Sequence, residues 1–99
     1  MSNNNLIFSD TISEIEALLT EGFKPTSLNV EDESYLHIGH KGAESGAGHY
    51  KVFITSPDLA ALSRVKAHRL IYETLSSLMG PQIHALSIKI IPLHLPEAP

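Results

Sequence analysis

Ser63–Ile91 reads SRVKAHRLIYETLSSLMGPQIHALSIKII, and the way this stretch changes period decides the fold. Val65, Ile71, Tyr72, Leu75, Leu78 and Met79 recur at helical spacing, which predicts a helix from about Ser63 to Met79 with these residues as its apolar stripe. Gly80-Pro81 stops it, since neither residue continues a helix well. From His84 to Ile91 the period falls to two. Leu86, Ile88 and Ile90 share one face, with His84 leading it, and Ala85, Ser87 and Lys89 share the other. That alternation predicts a strand. A helix that feeds a strand allows parallel pairing with the strand before the helix, through a right-handed crossover.

Upstream, Ser56-Pro57-Asp58 starts a helical turn through Leu62, and Tyr50, Val52 and Ile54 alternate with Lys51, Phe53 and Thr55 as a second strand. His37–Gly48 holds Gly39, Gly42, Gly46 and Gly48 and reads as an irregular loop. Ser27–Glu33, with Leu28 and Val30 between polar neighbours, reads as the first strand of an antiparallel pair. Lys24-Pro25 predicts extended backbone, because proline biases the residue before it away from helix. Ile12, Ile15, Leu18 and Leu19 line one face of a helix over Asp10–Glu21. Thr11 with Glu14 has the spacing of a capping box, and Gly22 suits the C′ position. The order is α-β-β-α-β. Two helices covering one face of a three-stranded sheet make an α+β two-layer sandwich. Residues 1–9 read as a disordered lead, 10–92 as one domain and 93–99 as a flexible tail.

Composition narrows the chemistry. The 99 residues carry 7 Lys+Arg against 11 Asp+Glu, a formal charge of −4, which opposes nucleic-acid binding as a global property. Zero Cys excludes a thiol nucleophile or a thiolate metal site made by this chain alone. No apolar run approaches the roughly 20 residues of a membrane span, and Met1-Ser-Asn-Asn-Asn5 lacks the features of a signal peptide, so the expected location is the cytoplasm. Gly39-His-Lys-Gly42 matches the GXXG of an RNA-clamping loop but lies between strands rather than helices. Neither a nucleophile elbow nor a phosphate-cradling GxxxxGK[ST] is present, so the chain is not expected to be an enzyme.

Metal or proton chemistry must therefore come from imidazole and carboxylate, and six His stand out. His37 and His40 lie in the Gly-rich loop, His49 opens the second strand, His84 starts the third, His68 borders the helical stripe and His94 is in the tail. His37-x-x-His40 alone is a weak zinc pattern, because it sits on a loop with no fixed carboxylate. A boundary role, with its ring packed and a nitrogen bonded to a carbonyl, accounts for His68.

Four segments together resemble the BolA family. Val30-Glu-Asp-Glu-Ser-Tyr-Leu-His37 is similar to its first strand and the start of its loop, and Gly46-Ala-Gly-His-Tyr-Lys-Val52 to its loop exit and second strand. Ala67-His-Arg-Leu-Ile-Tyr-Glu-Thr-Leu75 resembles its helical signature, and Ile83-His-Ala-Leu-Ser-Ile88 its last strand. The likeness runs from about Ile12 to Ile90 and makes 10–92 a BolA-like domain. It implies a class II KH-like fold and partnership with monothiol glutaredoxins of the CGFS type. It also implies a shared 2Fe–2S cluster, with thiolates from glutaredoxin and glutathione and imidazoles from His84 and His37, His40 being the alternative loop ligand. Such a half-site binds no cluster tightly by itself, and the chain alone is expected to be a monomer or weak dimer.

Family members have also been regarded as transcriptional regulators, which makes DNA a second expected partner. Arg64, Lys66, His68 and Arg69 are the candidate contacts. Here the sequence departs from the family's Arg-His-Arg signature, since Ala67 stands at the first Arg and the turn Gly before the helix is missing.

Overall fold

The computed structural model describes residues 10–34 and 47–93. Helix α1 (Thr11–Phe23) is followed by strands β1 (Ser27–Asp32) and β2 (Gly48–Thr55), the short helix α2 (Pro57–Ala60), helix α3 (Arg64–Thr74) and strand β3 (Ile83–Ile90). The sheet order is β1-β2-β3; β1 pairs antiparallel with β2, and β2 pairs parallel with β3. This is the expected α+β order.

One face of the sheet holds the core. Val30, Tyr50, Val52, Ile54 and Ile83 are buried against Ile15, Leu19 and Phe23 of α1, Leu59 of α2, Ala67 and Ile71 of α3, and Leu75 and Leu78 beyond it. The outer face carries the odd-numbered residues of β2, which are only half-buried: His49, Lys51 and Phe53. The Lys51 Nζ lies 5.2 Å from the centroid of the Phe53 ring.

Several local expectations are corrected. The N-cap of α1 is Asp10, whose Oδ1 accepts from the Ser13 N–H at 2.8 Å. That bond holds the Asp10 carboxyl below the usual carboxylate range. Thr11 is instead the first helical residue, and its hydroxyl donates to Gln82 Oε1 at 3.0 Å, tying α1 to the segment before β3. Gly22 lies inside α1 rather than after it, and Lys24 closes the helix in the left-handed region (φ 44°, ψ 58°), not in extended backbone. The Lys24 N–H bond to the Thr20 carbonyl at 3.0 Å satisfies a helix-end acceptor and outweighs the bias set by Pro25.

Helix α3 ends at Thr74 rather than Met79; turns carry the chain on to Gly80, whose φ is +98°. The buried stripe is Ala67, Ile71, Leu75 and Leu78. Val65, 66% exposed, and Tyr72, 40% exposed, fall outside it. Tyr72 follows Ile71 by one helical step of about 100°, and Val65 precedes Ala67 by two, about 200°, so neither can face the sheet along with Ala67 and Ile71. The Tyr72 hydroxyl instead donates to the Leu86 carbonyl at 2.9 Å, on edge strand β3.

Ser56 links the two ends of the helical layer. It is 1% exposed, and its hydroxyl donates to the Phe23 carbonyl at 2.8 Å and accepts from the N–H groups of Asp58 (3.1 Å) and Leu59 (3.4 Å). One side chain thus caps α2 and satisfies the last residue of α1. Ser56→Ala should cost about 1–2 kcal/mol in urea unfolding, since it removes a cap and strands a buried carbonyl. A change under a few tenths of a kcal/mol would show that these bonds carry no net stability.

Candidate functional site

The sheet end that matters is where β1 finishes, β2 begins and β3 begins. Pairing matches Asp32 with Tyr50 across β1 and β2, and Gly48 with Ile83 across β2 and β3. Both anchors of the segment 35–46 are fixed here. The Ser34 N–H bonds to Asp32 Oδ1 at 2.8 Å, and Ser34 Oγ accepts from the His49 N–H at 3.0 Å. The Glu33 N–H donates to the His49 carbonyl at 2.7 Å, and the Gly48 N–H to the Gln82 carbonyl at 3.0 Å.

A bulge then sets the direction of His84. Gly48 pairs with Ile83, but the next residue, His49, pairs with Ala85. His84 is thus an extra residue in β3, and such an insertion re-aims side chains. Ile83 is fully buried while Leu86, Ile88 and Ile90 pack on the core from positions of opposite parity. The expectation that His84 shares the sheltered face of Leu86, Ile88 and Ile90 is therefore corrected: His84 is exposed, and Ile83 takes the core position.

His84 meets His49. Their ring centroids lie 5.2 Å apart and the ring planes are tilted by 44°. His49 was not among the expected site residues. The signal was present, however: Gly48-His49 and Ile83-His84 each carry His near the first residue of a strand, and parallel pairing of those strands sets the two side by side. Among the described residues, no group of three or more His, Cys, Asp or Glu side chains converges to hold a metal ion. His37 and His40 lie in 35–46, and His94 in 94–99, outside the described residues.

The basic residues of α3 separate. Arg64 and half-buried His68 line, with Ile88, Lys89 and Ile90, a depression of about 190 Å³ between α3 and β3. Lys66 and Arg69 are exposed and do not line it. Lys89, absent from the expected contacts, replaces them. Arg64 also borders a more apolar cavity of about 240 Å³ with Leu59, Leu62, Ile90 and Leu93 among its walls. Among the described residues, no helix is long and apolar enough to cross a membrane.

This architecture has known counterparts. The BolA domain of SufE1 from Arabidopsis thaliana superposes with a TM-score of 0.73 at 35% identity, covering 86% of this chain and 94% of that one. A BolA-like protein of Dictyostelium discoideum is 44% identical over 77 residues, 77% of this chain and 65% of its own length. The DNA-binding transcriptional regulator BolA of Haemophilus influenzae is 36% identical over 76 residues, 77% of this chain and 71% of its own. The family model for BolA-like proteins matches residues 19–93, from the second half of α1 to just past β3. With the end of α1, helices α2 and α3, the mixed sheet and the strand-start histidine inside that span, the chain belongs to the BolA family.

Proposed function

We propose that the protein is a non-enzymatic adaptor that docks a monothiol glutaredoxin and completes the coordination of a shared 2Fe–2S cluster. His84 is one ligand, and His37 or His40 supplies the other from the loop. The observation that carries this reading is the exposed His84 on a bulge, at the sheet end where both anchors of the histidine-bearing segment are fixed. Imidazole is a suitable iron ligand, and a chain without Cys must take its thiolates from a partner. Replacing thiolate by neutral imidazole removes negative charge from such a cluster and raises its reduction potential. Exposure of His84 gives a partner access to the ring, while the strand backbone orients it. That a BolA domain also forms part of Arabidopsis SufE1 fits a module that works joined to other proteins.

The test mixes the chain with a CGFS glutaredoxin, glutathione, iron and sulfide, and records visible absorption and circular dichroism. A spectrum distinct from that of the glutaredoxin homodimer is expected, reverting to it with His84→Ala. His37→Ala and His40→Ala identify the loop ligand. A spectrum equal to the homodimer's and unmoved by His84→Ala overturns the proposal.

A second reading, a DNA-binding regulator, is favoured by the name of the Haemophilus relative and by the depression where Arg64, His68 and Lys89 converge. Duplex affinity should then fall with salt, and Arg64→Ala and Lys89→Ala should each reduce the log–log slope by about 1. A slope near zero eliminates it.

A further inference from the structure

We propose that His49 and His84 form a binding site for a single transition-metal dication of the Zn²⁺ type, open to the chain without any glutaredoxin. The site shares His84 with the cluster reading but does not depend on it.

The distance is the first support. A zinc-bound imidazole nitrogen lies about 2.0–2.1 Å from the metal, which puts the ring centroid roughly 3.2 Å away. Two such rings at a tetrahedral angle have centroids about 5.2 Å apart. The observed separation is 5.2 Å. The two rings already stand at the spacing that one tetrahedral ion requires, leaving rotation of each ring as the adjustment needed to aim a nitrogen at it.

Rigidity is the second support. His49 sits on the central strand, with its N–H on Ser34 Oγ and its carbonyl on the Glu33 N–H. His84 lies between Ile83 and Ala85, both in register with β2. Neither ligand needs a loop to order, so little conformational entropy opposes binding. The donor set is the third. Two imidazoles favour Zn²⁺, Ni²⁺ or Cu²⁺ over Mg²⁺ or Ca²⁺, which take oxygen ligands. The exposure of His84 leaves the remaining positions open to water or to a ligand from another molecule.

Simple ring packing spans the same range of distances, and the experiment separates the two. The full chain is titrated with Zn²⁺ by calorimetry, and the ring nitrogens of its histidines are followed by long-range ¹H–¹⁵N correlation. His49 and His84 resonances should move together at one equivalent. His49→Gln and His84→Gln should each weaken Zn²⁺ at least tenfold, and the double variant little further, because both act on one site. His68→Gln should change nothing. If Zn²⁺ moves neither ring, or if its affinity is indifferent to His49→Gln, the pair is a packing contact and the proposal falls. The nitrogen shifts are read on the unsubstituted chain, so they decide between site and packing contact even where a variant folds poorly. With glutaredoxin absent, failure here leaves the cluster reading untouched, and failure of the cluster reading leaves this site untouched.

Discussion

Ile83→Ala should lower the unfolding free energy by about 2–5 kcal/mol, while His84→Ala, one residue on, should change it by no more than about 0.5 kcal/mol. The contrast follows from the bulge. Ile83 is fully buried among Val52, Ile71, Leu75 and their neighbours in the core, and removing three carbons there loses transfer free energy and leaves a cavity. His84 is exposed and belongs to no part of the core. Urea unfolding of both variants, with the slope m compared to the parent, provides the measurement. Similar losses in the two variants would mean that His84 supports the core, and that the pairing of Gly48 with Ile83 and His49 with Ala85 is misassigned. On the proposed cluster role, the same pair separates folding from function, since His84→Ala should then lose the mixed cluster while keeping the parent's stability.

Gly48→Ala should cost about 1–3 kcal/mol, as overpacked positions do. Gly48 has no unusual dihedral angle that demands glycine; close approach demands it. A Cβ there would meet Ser34 Oγ, the Tyr50 Cε2 at 2.8 Å and the Tyr50 hydroxyl at 2.9 Å. The Tyr50 ring is buried and has little room to withdraw, so Ser34 must move, which disturbs the hydroxyl that accepts from the His49 N–H. The loss of stability should therefore come with a shifted His49 amide in the ¹H–¹⁵N spectrum. A variant as stable as the parent, with that amide unmoved, would show that the contact relaxes freely. Gly22→Ala is the control, because its Cβ would find only the Thr74 side chain, at ordinary contact distances of 3.5 and 3.9 Å.

The element order was legible in the sequence because each element announces its period over a long enough stretch. Ile15, Leu19 and the alternating Tyr50, Val52 and Ile54 leave little choice. What was hidden depends on contacts between distant segments. Asp10 caps α1 from an extended backbone (φ −144°, ψ 165°), while the Thr11 hydroxyl is directed to Gln82, distant in sequence. Tyr72 has the hydrophobicity of a core residue, yet its hydroxyl is satisfied by the Leu86 carbonyl at the edge of the sheet. The parity of His84 could not be read from Leu86, Ile88 and Ile90, because an alternating pattern carries no mark of an inserted residue. Only the partner strand reveals it. The candidate site was legible in part for the same reason. His84 could be picked out as a strand-start residue, but its neighbour His49 is 35 positions away and becomes adjacent only through parallel pairing.

Position 84 is also the one place in β3 where the chain can be shortened without a change of register. Excising the residue would leave Ile83 followed by Ala85, opposite Gly48 followed by His49, with inward and outward positions alternating without a break through Leu86 to Ile90. The imidazole is carried by a residue that the sheet itself does not count. The side chain at position 84 and the core are therefore separately editable: the residue can be exchanged, or removed, while the same core assembles beneath it.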